Sequence, residues 1–384
     1  MKIAYLGQKG IPMKYGGVEK HVELLAAAMV KNGHEVYVYA RPYYTPKYLK
    51  VFKGVNIISL PSLKTKHLDA ISHTLMATVH ALFKDYDIIH YQGIGPALLA
   101  FIPRIFKPGA KVVVTFHCMD RMHAKWGWLA RKVLKLAEKA ACYFPHQTIA
   151  VSKVLQDYCW QYFKQPTVYL PNSVKQPAVE PPKRSESYLK KYSLKPQKYF
   201  LVVSRLIPHK NIEEAILAFQ NLALKDYKLA IVGDGFFTDD YVAALKKLAG
   251  ETPEIVFTGS LHGPALEAIF RQARAFLMPS KNEGLSFALL EALSFGLPVI
   301  GRRNPENLEF IGAKVMAGYG RIQELQAHLK KITEADAEYL LFGQRAQKYL
   351  DKNFNLQLVV NQTEMLYYQL LGRPLEEVSE CKIL

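Results

Sequence analysis

Two glutamates separated by seven residues lie in one apolar stretch of the chain. Glu283 and Glu291 belong to PSKNEGLSFALLEALSFGLPVIG, residues 279–301, in which most other residues are apolar or small. The run AFLMPS before Glu283 predicts a strand, and the residues from Ser286 onward predict a helix. Glu283 is therefore expected in the loop at the carboxyl end of the strand, with Glu291 about two turns into the helix.

The start of that helix is suited to an anion, because its first backbone N–H groups have no partner within the helix. Carboxylates hydrogen-bond sugar hydroxyls but repel phosphate. If a phosphate binds at the helix start between the two glutamates, each glutamate can bond a hydroxylated group beside that phosphate. This arrangement predicts a ligand such as a nucleoside diphosphate sugar. The alternative is structural, with Glu283 as a helix cap and Glu291 on the helix surface.

Strand-like and helix-like segments alternate along the rest of the chain, which predicts parallel sheets with crossover helices. The predicted strands of the first half are residues 2–7, 34–40, 55–60, 87–93, 111–117 and 147–152. A Pro-, Lys- and Ser-rich stretch follows, and the pattern restarts with 198–206, 228–233, 255–259, 275–280 and 298–301. We predict an α/β protein of two Rossmann-like, doubly wound domains that face each other across a cleft, with ligands at the carboxyl ends of the strands.

The predicted boundaries follow the change in composition. Residues 1–172 form the first domain, 173–196 a linker with a short charged helix, and 197–352 the second domain. Residues 353–384 contain an amphipathic helix with no strand after it, and we expect this helix to cross back to the first domain.

Composition limits the class of protein. The 384 residues include four cysteines and no CxxC pair, which is typical of reduced thiols in a cytosolic protein. Neither a signal peptide nor an apolar run long enough to span a membrane is visible. Residues 1–175 hold 24 basic and 9 acidic residues, whereas the remainder holds 26 and 24. The basic first half predicts an anionic partner, and no motif that reads nucleic acid accompanies the charge.

Five elements, in order and spacing, resemble those of the retaining glycosyltransferases of family 4, which have the GT-B fold. Residues 279–301 resemble the Glu-x7-Glu element of that family, and VVSRLIPHKNIEEAI resembles its Arg-x4-Lys element. KIAYLGQKGIPMKYGGVEKHVELLA is similar to its opening strand and diglycine loop, and IVGDG and VFTGSL to later strand ends. The resemblance covers most of the chain, apart from 171–196 and the last dozen residues.

The resemblance implies a role for each matching residue of the second domain. Arg205 and Lys210 would hold the diphosphate, as two cations beside an anion-binding helix should. Glu283 would bond hydroxyls of the donor sugar, and Glu291 those of the ribose. The implied donor contacts also include Gly284, Leu285 and Ser286 of the loop, and Gly259 and Ser260 through their backbone to the base.

In the first domain, Gly16 and Gly17 would let the backbone approach the donor phosphate or sugar closely. His117 would lie near the donor sugar, and the implied catalytic set is Glu283, His117, Lys210 and Arg205. Asp120, Arg121 and Lys125 would contact the acceptor. Ser204 and Ser286 stand where the family usually has glycine, and the Ser286 hydroxyl is placed to cap the helix.

The predicted function is transfer of a sugar from a nucleotide diphosphate sugar to a glycan or lipid-linked acceptor, with retention of configuration. No metal and no other cofactor is expected, and Asp85-Tyr86-Asp87 is interpreted as a solvated strand start rather than a metal motif. The alternatives are a nucleotide-sugar epimerase of the same architecture and a non-catalytic, membrane-associated sugar-nucleotide binder. The segments FIPRIFKPGAK and WGWLARKVLKLAEKA mix basic and large apolar residues. They favour a cytoplasmic protein that binds an anionic membrane surface peripherally.

Overall fold

A computed structural model describes residues 1–65, 68–122, 127–235, 238–334 and 337–374. The chain divides into two units, Met1–Ser173 with Leu356–Leu384, and Val174–Asn355. Each unit has one sheet with helices between its strands, and the prediction of two Rossmann-like domains is confirmed.

The first unit is built on an eight-stranded sheet in the order β3-β4-β2-β1-β5-β6-β7-β8. Only β3 is antiparallel to its neighbour among these strands. The strands are β1 Lys2–Leu6, β2 Glu35–Ala40, β3 Val51–Phe52, β4 Val55–Ser59, β5 Ile88–Gln92, β6 Lys111–Phe116, β7 Gln147–Ala150 and β8 Val168–Tyr169. The helices are α1 Gly17–Lys31, α2 Asp69–Leu82, α3 Ile94–Ala97, α4 Phe101–Phe106, α5 Trp128–Tyr143 and α6 Lys153–Phe163.

The chain order of this sheet reverses between β1 and β5. Both strands are almost wholly buried, as central strands covered on two faces must be, and β5 includes the polar His90 and Gln92. Helix α1 begins directly after the loop that follows β1, and Gly16 precedes it with φ 106°. A Cβ at Gly16 would lie 1.9 Å from a carboxylate oxygen of Glu19, so the turn into α1 requires glycine.

The second unit has a six-stranded, fully parallel sheet in the order β11-β10-β9-β12-β13-β14. The strands are β9 Tyr199–Val203, β10 Lys228–Val232, β11 Ile255–Gly259, β12 Ala275–Met278, β13 Val299–Arg302 and β14 Ala317–Tyr319. The helices are α7 Ser185–Lys191, α8 Ile212–Leu222, α9 Asp239–Ala249, α10 Gly263–Gln272, α11 Phe287–Ser294, α12 Leu308–Gly312, α13 Ile322–Thr333 and α14 Ala337–Asn353. Here the chain order reverses between β9 and β12, where doubly wound sheets bind ligands.

Residues 173–196, predicted as a linker with a short charged helix, contain the helix α7. From Val174 onward they belong to the second unit. Leu189 on α7 and Leu194 after it are buried, and α7 packs against α10. These two leucines attach a segment of otherwise polar composition to the sheet domain.

The final helix, α15 (Leu356–Leu371), belongs to the first unit and packs against α1. Its Glu364 carboxylate lies 2.7 Å from Nε2 of His34 and accepts a 2.8 Å hydrogen bond from the Asn32 side chain. One turn later, the Tyr367 hydroxyl lies 2.7 Å from Nδ1 of His90. All of these polar side chains except the half-buried Asn32 are buried, so α15 is attached by specific hydrogen bonds as well as by apolar contacts.

Replacing Glu364 by Ala should lower the free energy of unfolding by about 3 kcal/mol, because the buried His34 and the half-buried Asn32 lose their hydrogen-bond partner. Chemical denaturation followed by far-ultraviolet circular dichroism measures the change. The matched control is Met365→Ala on the exposed side of the same helix, which should cost less than about 0.5 kcal/mol. An equal cost for the two variants would contradict the anchoring role of Glu364.

Candidate active site

An ion pair joins the two loops at the point where the second sheet reverses its order. The loop after β9 ends in a short 3₁₀ turn, Pro208–Lys210, and the loop after β12 carries Glu283. The Lys210 ammonium pairs with the Glu283 carboxylate, and each side chain is 11% exposed. The backbone N–H of Lys281 donates to the carbonyl of His209 over 2.9 Å, so the loops are joined by backbone as well.

Lys210 is held in place by the start of α8. Asn211, with φ 54°, turns the chain into this helix, and its side chain donates to Glu214 over 2.6 Å. Arg302, at the end of β13, donates to both oxygens of the same carboxylate over 2.6 and 2.7 Å. The Tyr319 hydroxyl adds a 3.1 Å bond from β14. Three side chains, from the start of α8, from β13 and from β14, therefore converge on Glu214 and position the residue that precedes α8.

Arg205 lies five residues before Lys210 in the same loop and is exposed. The backbone there is packed tightly against the loop after β10, because a Cβ at Gly233 would lie 1.8 Å from the carbonyl oxygen of Ser204. The N–H of Leu206 also donates a 2.9 Å backbone hydrogen bond to the carbonyl of Asp234. The guanidinium therefore projects from a fixed backbone, and Gly233 is the residue that permits this close approach.

Helix α11 begins as the sequence predicts. Ser286 has extended backbone angles, and its hydroxyl accepts a 3.4 Å hydrogen bond from the N–H of Leu289, so the predicted capping role is present. Gly284 is buried beside the cap, and Leu285 and Ser286 are half-buried. Glu291 lies in the second turn and is half-buried. A cavity of about 10 Å³, enough for one water, is lined by Lys210, Glu283 and Ser286.

Gly259 and Ser260 lie at the end of β11, two strands away from β9. Two strand spacings correspond to about 10 Å across the sheet. Gly259 has φ 71°, which only glycine adopts readily, and Ser260 is exposed. The backbone of this strand end is therefore accessible at the same edge as the ion pair.

The loop after β13 brings a third carboxylate to this edge. The Asn304 amide donates to the Ser280 carbonyl over 2.9 Å, which joins this loop to the one after β12. Glu306, two residues further, is only 9% exposed. Burial, together with the charge of Glu283, raises the pKa of Glu306 to about 7. Sequence reasoning missed Glu306, because its environment depends on a contact between two loops.

In the first unit, Gly16 and Gly17 lie at the start of α1, and His117 directly follows β6. Nε2 of His117 lies 2.9 Å from the Gln92 side-chain oxygen at the end of β5, and its ring meets that of His21 edge-on at 5.1 Å. Burial, and then the neighbouring His21 and His90, hold the pKa of His117 well below its ordinary value. His117 is therefore a neutral imidazole that can exchange hydrogen bonds but carries no charge.

The three predicted acceptor contacts have different positions. Arg121 donates twice to the buried Glu138 of α5 over 3.0 Å and once to the Tyr158 hydroxyl of α6 over 3.1 Å, so its guanidinium joins these two helices. Asp120 accepts a 3.2 Å bond from the Cys118 thiol. Lys125 lies outside the described residues.

The motif Asp85-Tyr86-Asp87 precedes β5, at the amino edge of the first sheet. Asp87 accepts hydrogen bonds of 2.7 Å from the backbone N–H of Lys2 and from Arg373, and Asp85 lies 3.8 Å from the Lys2 ammonium. Within the ranges that the structure describes, no three His, Cys, Asp or Glu side chains are grouped to hold a metal ion.

Comparison with known proteins agrees with this architecture. Residues 15–175 match the family model "Glycosyltransferase Family 4", and residues 185–349 match "Glycosyl transferases group 1". The chain belongs to the group 1 glycosyltransferases of the GT-B fold. It is a glycosyltransferase, and each of the two sheet units corresponds to one of the two matched models.

Individual relatives are distant. A GDP-mannose-dependent alpha-mannosyltransferase of Mycolicibacterium smegmatis is 26% identical over 322 residues, which cover 78% of this chain and 79% of the relative. An alpha-monoglucosyldiacylglycerol synthase of Streptococcus pneumoniae is 25% identical over 308 residues, covering 75% and 68%. The crystal structure of Anabaena HepE in complex with UDP-glucose superposes with a TM-score of 0.77 at 19% identity, covering 95% of this chain and 99% of HepE.

Proposed function

We propose that this glycosyltransferase moves a sugar from a nucleotide diphosphate sugar to a glycan or lipid-linked acceptor, with retention of configuration and without a metal ion. The observation that carries the proposal is the buried Lys210–Glu283 pair beside the capped start of α11. A cation for phosphate, a carboxylate for hydroxyls and a helix N-terminus lie together at the strand ends where such ligands bind.

The diphosphate would lie against Lys210, the exposed Arg205 and the first N–H groups of α11. These groups stabilise the negative charge that develops on the leaving diphosphate, which is the main task in breaking a glycosyl–phosphate bond. Because two side-chain cations and a helix start already supply positive charge, the reaction as proposed does not require a bound cation. The mannosyltransferase relative is named for a GDP-sugar, and HepE binds UDP-glucose, which supports a nucleotide sugar as the donor.

In the proposed reaction the acceptor oxygen attacks the anomeric carbon from the face that the diphosphate leaves. The bond from that carbon to the phosphate oxygen breaks as the new glycosidic bond forms, and the leaving diphosphate takes the acceptor proton. Glu283 orients the donor sugar through its hydroxyls, and Glu291 bonds the ribose. No protein nucleophile takes part. His117 supplies a neutral hydrogen-bonding group, and the tight turn at Gly16 allows close approach of the backbone.

Product analysis distinguishes two other functions from sugar transfer. A nucleotide-sugar epimerase would convert its substrate in the absence of any acceptor, whereas a transferase would not. A non-catalytic binder would be stabilised by a donor but would neither transfer nor hydrolyse it. Thermal-shift screening against UDP-, GDP-, TDP- and ADP-sugars finds the donor. Nuclear magnetic resonance of the product then gives its anomeric configuration, and activity after EDTA treatment tests the metal.

Lys210→Met and Glu283→Gln should each lower kcat about 100-fold or more, because each removes a group that contacts the donor near the reacting bond. We expect Lys210→Met also to reduce the thermal stabilisation by the donor, while both variants keep the far-ultraviolet spectrum of the parent. Lys246→Met, on the exposed side of α9, is the matched control and should be fully active. Near-normal transfer by both site variants would refute the assignment.

For the partner of the basic first half we propose an anionic membrane surface. Helix α5 leaves Leu129, Val133 and Leu136 exposed at helical spacing, 61%, 44% and 62%, with Trp128 at its start. Lysines and an arginine are interspersed on the same helix and are also exposed: Arg131, Lys132, Lys135 and Lys139. Apolar residues that a core would have buried, alternating with cations, match a surface helix that lies in the headgroup layer. None of the helices formed by the described residues is long and apolar enough to span a membrane.

Leu129→Glu combined with Leu136→Glu should reduce vesicle binding at least tenfold, since burying each leucine contributes about 1.5 kcal/mol or more. Flotation with anionic and neutral vesicles measures the bound fraction, and added salt should weaken binding to the anionic ones. Leu340→Glu is the control, an equally exposed leucine on α14 of the second unit. Equal binding to both kinds of vesicle, or none to either, would count against the proposal.

A further inference from the structure

Glu306 is a buried carboxyl beside the proposed donor site with no role in the account so far. One of its oxygens, Oε2, is buried and has no hydrogen-bond partner among the described residues. Burial, opposed by the backbone N–H groups of Glu306 itself and of Glu283, raises the pKa of this carboxyl. A buried carboxylate oxygen without a donor is costly, so this group favours the protonated form, in which it becomes a donor itself.

Three cations, in the loop after β9 and at or just after the end of β13, pair with carboxylates other than that of Glu306. Lys210 pairs with Glu283, Arg302 with Glu214, and Arg303 with Glu324. The carboxylate of Glu309 on α12 accepts a 3.1 Å bond from the Tyr349 hydroxyl. Other charged or titratable side chains on these segments are His209, half-buried, and Lys281, exposed. After burial, the charge of Glu283 is the other influence that raises the pKa of Glu306.

Donor binding would change this balance. Under the proposed function, Lys210 turns its charge toward the diphosphate, and Glu283 then loses the partner it has in the free enzyme. The incoming phosphates add further negative charge at the same place. Two carboxylates close together under such conditions share one proton, because both cannot be ionised side by side.

We propose that Glu306 is a positioning residue for Glu283: its protonated carboxyl replaces the Lys210 ammonium as the hydrogen-bond partner of Glu283 once Lys210 contacts the donor diphosphate. The inference rests on the proposed function for the identity of the ligand. No covalent bond changes, because the proton stays on Glu306 and its O–H donates a hydrogen bond to the Glu283 carboxylate. Glu306 acts through Glu283 and does not contact the reacting carbon.

The first experiment needs no ligand. The raised pKa of Glu306 means that the folded state holds a proton that the unfolded chain releases, so its contribution favours folding at low pH. This contribution is lost as the pH rises from about 4.5 to about 7, and it stays lost above. Glu306→Gln should therefore unfold at higher denaturant concentration than the parent at pH 8, and the difference should shrink as the pH is lowered toward 5. A difference that does not vary with pH would overturn the inference, whatever the enzyme binds.

The second experiment uses the nucleotide sugar that gives the largest thermal shift. Above the pKa of the proton that Glu306 must hold, kcat/KM of the parent should fall about tenfold per pH unit relative to Glu306→Gln. The glutamine amide donates to Glu283 at every pH, so this variant should keep activity and lose that dependence. Glu306→Ala should lose about tenfold or more at all pH values, because Glu283 is no longer oriented. Glu324→Gln, an exposed carboxylate that pairs with Arg303, is the control and should retain the parental profile.

The outcomes separate the two proposals. Failure of the parent to bind any nucleotide sugar would refute the proposed function and leave the ligand-free titration to decide whether Glu306 holds the proton. An active parent whose pH profile matches that of Glu306→Gln would refute the role of Glu306 and leave the proposed function intact.

Discussion

The ion pair between Lys210 and Glu283 is the contact on which the proposed donor site depends. A lysine and a glutamate that are almost fully buried lose most of their hydration, and their attraction offsets this cost only when the geometry is held. Here the geometry is held by backbone: Lys281 donates to the carbonyl of His209. The loops after β9 and β12 thus behave as one surface, and charged groups are in place before a ligand arrives. Such preorganisation is what electrostatic catalysis requires.

Much of the fold follows from the sequence, because its signals are local. Short β-branched runs that end at glycine mark the central strands, such as β1 before Gly7 and β10 before Gly233, and the structure confirms them. The cap at Ser286 is equally local, since it depends on one hydroxyl and an N–H three residues later. Strands β3, β8 and β14 have two or three residues, which is too short for a periodic pattern to identify.

The parts of the site that were not predicted all depend on contacts between distant segments. Arg302 reaches Glu214 from 88 residues away, and the Asn304 amide meets the Ser280 carbonyl across two loops. Nothing in the local sequence of Arg302 or Glu306 separates them from surface charges. Arg121 shows the converse. Its place in a charged segment after β6 suggested a ligand contact, but its guanidinium is occupied by Glu138 and Tyr158. The local sequence of a charged residue therefore does not reveal which partner its side chain has in the folded protein.

Charge balance connects these observations. In the free protein, the Lys210 and Glu283 charges cancel. Glu306 adds no charge when it is protonated, as proposed, and the buried part of the site would then be neutral. A diphosphate brings about two negative charges, which exceed what Lys210 alone can balance. The exposed Arg205 and the start of α11 would then be needed to balance the remaining charge. An ionised Glu306 would add a buried negative charge and weaken the site for the anion it is proposed to bind. The burial that raises its pKa therefore protects the site from that charge.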